Sequence, residues 1–297
     1  MILETFLRFF ALIGAGIIIG YIVKGRGLWA SEIGRRIVGW GIVAPIYIAS
    51  ILVSPILGFG VILATMLFGL IEVERMARFP KRFTIVLAML AVTTAIVAHI
   101  SPSLIIGLPV LYFTVISGSG ILLNDKKSFE MTTIGLFTAI WIFFSLAHFE
   151  LLTDLSILKL GHTGLLVMIG FAVPLSDIGA YVVGKLTTKL GFTRTIAPAI
   201  SPNKTFAGAL GNVAGAMLGI WIASFAVPGL LTPWRLVVLG TVIGVMGLFG
   251  DLTESMVKRH YKKKDSGTLI PGHGGVLDRI DSALRVVVTV YYVLLIL

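Results

Sequence analysis

The chain has 297 residues, of which 57% are hydrophobic and only 13% charged, and its mean hydropathy is +1.01. A soluble domain of this length carries about 25% charged residues, so an aqueous globular fold is excluded and the bilayer is the expected solvent. The absence of cysteine excludes disulfides, thiolate metal sites and cysteine nucleophiles. The net charge of +10 lies between long apolar runs, not along a basic helix that could track a duplex, so anionic lipids or small phosphates are expected as partners and nucleic acid is not.

Ten apolar stretches run approximately over 5–23, 37–55, 57–72, 83–100, 103–123, 131–150, 163–184, 206–227, 234–255 and 282–297. Each is near the roughly 20 residues that cross a bilayer as a helix. No small-residue cleavage site follows the first, which reads as an anchor and not as a removed signal. Only the Pro55–Gly58 region separates the second from the third, and the last is short, so nine or ten crossings are expected. Spanning segments must satisfy their own backbone polar groups, and short alternating strands are lacking, so the fold class is all-α and polytopic.

The basic residues give an orientation. Lys24, Arg26, Arg35 and Arg36 follow the first stretch, Arg75, Arg78, Lys81 and Arg82 the third, and Lys126 and Lys127 the fifth. Lys185, Lys189, Arg194 and Lys204 follow the seventh, and Lys258, Arg259, Lys262, Lys263, Lys264 and Arg279 the ninth. The intervening loops hold Lys159 and little else. Positive loops stay in the cytoplasm, which puts the two longest polar loops, 185–205 and 256–281, on that side; with ten crossings both termini lie outside. No repeat or polar linker divides the chain. We read one integral-membrane unit, with residues 1–170 as lipid-facing, substrate-shaping helices and 171–297 as the catalytic region.

Most of the chemistry lies between Gly250 and Asp281. The stretch holds five carboxylates (Asp251, Glu254, Asp265, Asp278, Asp281), a basic cluster and the run Gly272-His273-Gly274-Gly275. If the ninth helix continues to about Arg259, Asp251, Glu254, Ser255 and Lys258 share one face. Asp278 and Asp281, three apart, converge if the last helix begins there. Carboxylate pairs at a membrane surface are hard oxygen ligands suited to Mg²⁺, the glycines let backbone approach a ligand, and the cations nearby can hold phosphate. The plainer reading, helix caps and a solvated loop, explains less: Asp251 ends a long apolar run, where charge is costly unless paired or metal-bound.

Ser255, Lys258, Arg259, Lys264, Asp265, Gly267, Pro271, His273, Gly274, Gly275, Asp278, Arg279 and Asp281 stand at the spacing S-x-x-K-R-x₄-K-D-x-G-x₂-[LI]-P-G-H-G-G-x-x-D-R-x-D. This segment resembles the phosphatidate cytidylyltransferases (CDP-diacylglycerol synthases), and the upstream GDLTES is similar to theirs. A second match comprises Asp177, Ala180, Tyr181, Gly184 and Lys185, then Ile200-Ser201-Pro202-Asn203-Lys204-Thr205 and Gly208. One position departs: Ala207 stands where many members carry Glu, which points to an atypical paralogue with a different lipid or to a weakened site. The resemblance covers about 175–285; the first 170 residues match only in hydropathy.

The resemblance implies transfer of the cytidylyl group of CTP to phosphatidate, giving CDP-diacylglycerol and pyrophosphate, in the inner (cytoplasmic) membrane with the active site facing the cytoplasm. A phosphate monoester is already largely dianionic at neutral pH, so no side-chain nucleophile is needed, only alignment and charge neutralisation. On this basis Asp251, Asp278 and Asp281 are the expected ligands of Mg²⁺, as a pair of ions, with Lys258 and Arg259 as catalytic cations. Asp177, Tyr181, Ser201, Lys204, Thr205, Lys264, Asp265, His273, Gly274, Gly275 and Arg279 are expected to bind substrate. A homodimer is an expectation of the resemblance alone.

Other residues take plainer readings. His99, His148 and His162 belong to the opposite face as packing or interfacial residues, Trp29, Trp40 and Trp234 to interfacial anchoring, and Lys262 and Lys263 to a headgroup-facing patch. Ser201 and Thr205 fit a helix cap as well as a phosphate site. Rival functions are another CTP-dependent lipid enzyme, of the CDP-archaeol synthase or polyprenol kinase type, and a transporter. A transporter would place polar groups at the bilayer midplane, whereas these gather at one face.

Overall fold

The computed structural model describes residues 1–27, 29, 38, 41, 44–50, 52–153, 163–267 and 274–297. The chain is an all-α, multi-pass membrane protein. It opens with α1 (Ile2–Lys24), and a helical stretch at 44–50 precedes α2 (Pro55–Ala77). There follow α3 (Lys81–Ile100), α4 (Leu108–Leu123), α5 (Ser128–Thr153) and α6 (Gly164–Lys189). A hairpin, β1 (Thr195–Ala197) and β2 (Ser201–Thr205), leads into α7 (Phe206–Ile222), α8 (Pro233–His260) and α9 (Leu277–Ile296). Among the described residues six spans are long and apolar enough to cross a bilayer: α2, α3, the span Pro102–Leu123 that ends in α4, α5, α6 and α8. The expected second stretch, 37–55, lies partly outside the described residues.

Local chemistry sets the helix ends. Pro55 and Pro233 open α2 and α8 at a position where the missing N–H costs nothing. Thr232 and Thr205 cap α8 and α7, accepting from Arg235 N (3.4 Å) and Gly208 N (3.0 Å). Arg78 and Asn124 end α2 and α4 in the left-handed conformation. Helix α9 has no side-chain cap of its own.

Two apolar clusters form the interior. One joins α2, α3, α4 and α5 and takes Leu277 and Leu284 from α9; the other joins α6, α7 and α8 and takes Val286, Val287, Val290 and Leu294 from α9. The last helix therefore seals both. Helices α6 and α7 meet backbone to backbone: a Cβ on Gly215 would stand 2.1 Å from the Leu175 carbonyl oxygen, and one on Gly219 2.5 Å from the Ala172 Cα. Small residues four apart are the usual device for such contact in lipid, where no hydrophobic force draws helices together. A π-turn, Ala139–Phe144, interrupts α5 and sets Ile142 against Gly69 of α2, beside Leu277.

The structure adds one element to the expected order. Of the expected loop 185–205, residues 185–189 continue α6 and the remainder folds back on itself, with Thr195 opposite Thr205 and Ala197 opposite Ser201. These strands are too short to carry an alternating pattern legible against background.

Candidate active site

Sequence-distant segments meet at one end of the bundle. Gly250 of α8 lies against α9, where a Cβ would stand 2.3 Å from the Asp281 carbonyl oxygen, so glycine is what lets the two helices touch there. That contact brings Asp251, the next residue of α8, within electrostatic reach of Asp281. Lys204 enters from β2 and pairs with Asp251. Asp177 of α6 lies within reach of Lys204, Asp251 and Arg279, and Ser255 Oγ donates to Asp251 Oδ1 (3.3 Å). Burial would lower the Lys204 ammonium, but Asp251, Asp177 and Asp281 hold it above its ordinary value, so it stays charged.

Asp177, Asp251 and Asp281 thus face two cations, Lys204 and Arg279. An excess of carboxylate oxygen fits a hard divalent ion such as Mg²⁺. Among the described residues no three His, Asp or Glu side chains stand close enough to hold a metal by themselves. Phosphate oxygens or water would complete any shell, as is usual for Mg²⁺.

Asp278 and Lys258 belong to a second, more enclosed network. Lys258 Nζ lies between Glu254 Oε2 (2.5 Å) and Asp278 Oδ1 (2.6 Å). Asp278 Oδ2 accepts from Ser266 N (2.9 Å), Ser266 Oγ (2.8 Å) and Gly275 N (2.7 Å). Burial alone would raise Asp278, but Lys258 and the Gly275 N–H hold its carboxyl down at about 2. Gly274 turns the chain at φ 82°, where a Cβ would stand 2.4 Å from Asp278 Oδ2. Asp278 here ties Ser266 and Gly275 to Lys258, and a metal or phosphate would reach Asp278 and Lys258 only by displacing these partners.

The remaining expected residues divide by position. Lys264 and Asp265 line an open cleft of about 400 Å³ with Arg75, Met76, Lys263, Ser266 and Gly267. Arg259 is exposed and donates to the Lys263 carbonyl oxygen (3.0 Å). Tyr181 is exposed and accepts from Lys185 Nζ (3.2 Å). Thr205 serves as the cap of α7, while Ser201 sits in β2 without that role. His273 lies outside the described residues, as does His162. His148 is fully buried against Phe144, Tyr291 and Tyr292, and His99 lies against Phe59 and Glu150, in the packing role expected of both.

Sequence reasoning missed Glu72. This carboxylate of α2 is 3% exposed and accepts from Val276 N (2.7 Å) and Leu277 N (3.0 Å), and it shares the single Ser266 hydroxyl proton with Asp278 Oδ2, each oxygen 2.8 Å from Ser266 Oγ. The signal in the sequence is weak: Glu72 closes the apolar run 55–71, with Glu74 and Arg75 directly behind it, so it reads as the polar end of the segment. Arg75, one turn on, was read only as a topology-setting charge.

A model described as the cytidylyltransferase family matches residues 34–297. The chain belongs to the cytidylyltransferase family. It is 46% identical over 143 residues to the phosphatidate cytidylyltransferase of Synechocystis sp., a match covering 46% of this chain and 45% of that protein. The Bacillus subtilis phosphatidate cytidylyltransferase is 45% identical over 120 residues, 40% of this chain and 43% of its own length. The Escherichia coli uncharacterized protein YnbB is 35% identical over 191 residues, 62% of this chain and 61% of its own. The chain spans about half the length of the curated relatives it matches.

Proposed function

We propose that this chain transfers the cytidylyl group of CTP to phosphatidate, releasing pyrophosphate and forming CDP-diacylglycerol, at the cytoplasmic face of a bacterial inner membrane. The carrying observation is the meeting of Lys204, Asp177, Asp251 and Asp281, from four different elements, at one end of the bundle. Membership of the family supports the reading, as do the names of relatives near 45% identity.

The chain's own residues would act by placement. The lipid phosphate attacks the α-phosphorus of CTP as a dianion and needs no base. Lys204 and Arg279 are placed to draw phosphate oxygens to the carboxylate cluster, and the cleft of Arg75, Lys263 and Lys264 offers further cations to a triphosphate. Asp251 and Asp281, with Asp177 beside them, would hold Mg²⁺. When bound, Mg²⁺ supplies charge neutralisation at the phosphates.

The test is pyrophosphate release by the purified chain in detergent, with phosphatidate and CTP, with and without Mg²⁺. We expect Mg²⁺-dependent turnover that falls at least a hundredfold in Asp251→Asn and in Asp281→Asn. Absence of turnover in the native chain but its appearance in Ala207→Glu would mark a degenerate enzyme. Silence in both, where a relative works, would overturn the reading and turn attention to other lipid acceptors.

A further inference from the structure

Glu72, Ser266, Asp278 and Lys258 form one hydrogen-bonded network at the start of α9, and Glu72 and Lys258 reach it from two other helices. Glu72 arises from α2, about 200 residues before the loop. Its two oxygens accept the N–H groups of Val276 and Leu277, which open α9, and the hydroxyl of Ser266. Ser266 in turn meets Asp278 Oδ2, and Asp278 Oδ1 meets Lys258. A continuous chain of contacts therefore runs from α2 through the loop to α8.

Glu72 does the work of a helix cap in trans. The first N–H groups of a helix lack partners within it and carry the positive end of its dipole. Helix α9 has no cap of its own, and an anionic side chain from a neighbouring helix supplies it. The loop is shaped to admit that side chain. A Cβ on Gly275 would stand 2.3 Å from Glu72 Oε1, and one on Gly267 2.8 Å from the same atom. Both glycines belong to the sequence pattern, and at these two positions they are required by the close approach of a carboxylate the pattern does not contain.

We infer that Glu72 is a positioning residue: it fixes the start of α9, and with it Asp278, Arg279 and Asp281, against α8. It acts through Ser266 and the two amides. The inference rests on the proposed reaction for its kinetic consequence but not for its structural one.

Glu72→Gln, Glu72→Ala and Ser266→Ala would be compared with the native chain by amide hydrogen exchange of peptides covering 274–281, and by kcat and KM for CTP. In Glu72→Gln one carbonyl oxygen remains to accept while an NH₂ group faces donors, so the effect is smaller than in Glu72→Ala. The expected result is exchange at 274–281 faster by tenfold or more in Glu72→Ala, unchanged exchange in α3 and α7, and kcat lowered at least tenfold with KM for CTP within about twofold. Ser266→Ala reproduces part of the change, and adding it to Glu72→Ala adds less than the product of the two effects. Unchanged exchange at 274–281 overturns the inference, whatever the activity. Exchange raised throughout the chain also overturns it, because Glu72 then supports the bundle in general. Local exchange raised in the variants, with no turnover in the native chain, sustains the positioning role and refutes the proposed reaction instead.

Discussion

Asp278 shows how far one carboxylate's environment can be read. Its oxygens accept from an ammonium, two backbone N–H groups and a hydroxyl, and they hold the carboxyl at about 2, below the ordinary value near 3.9. A folded-state value below the unfolded one means stability that is present above about pH 4 and is lost as pH falls toward 2. The difference in thermal midpoint between the native chain and Asp278→Asn should therefore be constant near neutral pH and shrink between about pH 4 and 2. A gap that persists unchanged into acid would show that the Asn variant loses packing and not charge.

The elements are placed by close approach. Helix α7 presents Gly211, Gly215 and Gly219 to α6, and Asn212 between them donates from Nδ2 to Ser176 Oγ (2.9 Å). These contacts fix where Asp177, one residue beyond Ser176, meets Lys204 in β2, just before α7. Gly215→Leu would force the two backbones apart; overpacking of this kind costs about 1–3 kcal/mol or more. We expect a lowered thermal midpoint and lost activity, whereas Leu218→Met, at an exposed position of the same helix, conserves volume and should cost less than about 1.5 kcal/mol. A Gly215→Leu variant as stable as the native chain would mean that α6 and α7 do not meet through this face.

At the scale of the molecule, the alternation of basic loops in the sequence leads to the proposal that the face holding Lys204 and Asp251 is cytoplasmic. The chain has no cysteine, so single cysteines report sidedness without background. Lys189→Cys at the end of α6 should be labelled by an impermeant thiol reagent only from the cytoplasmic side, and Ser103→Cys, between α3 and α4, only from the other; both positions are exposed. The reverse pattern would invert the proposed orientation and separate the site from cytoplasmic CTP.

Composition and hydropathy alone established a membrane-embedded helical chain, because an apolar segment of spanning length has few other stable solvents. The spacing of Ser255–Asp281 and of Asp177–Gly208 was enough to find the family, and with it most of the candidate site. The period of a helix placed Asp251, Ser255, Glu254 and Lys258 on one face, as observed. Which carboxylates keep company was decided only in three dimensions: Asp278 with Lys258 and Ser266, Asp251 with Lys204, and Asp281 within reach of Asp251 and Asp177. The part played by Glu72 was likewise invisible along the chain, since its partners lie about 200 residues away and a helix cap supplied from another helix has no fixed spacing. Local patterns follow from the backbone's own periods, whereas contacts between distant segments depend on how helices pack, and that is set by the whole bundle at once.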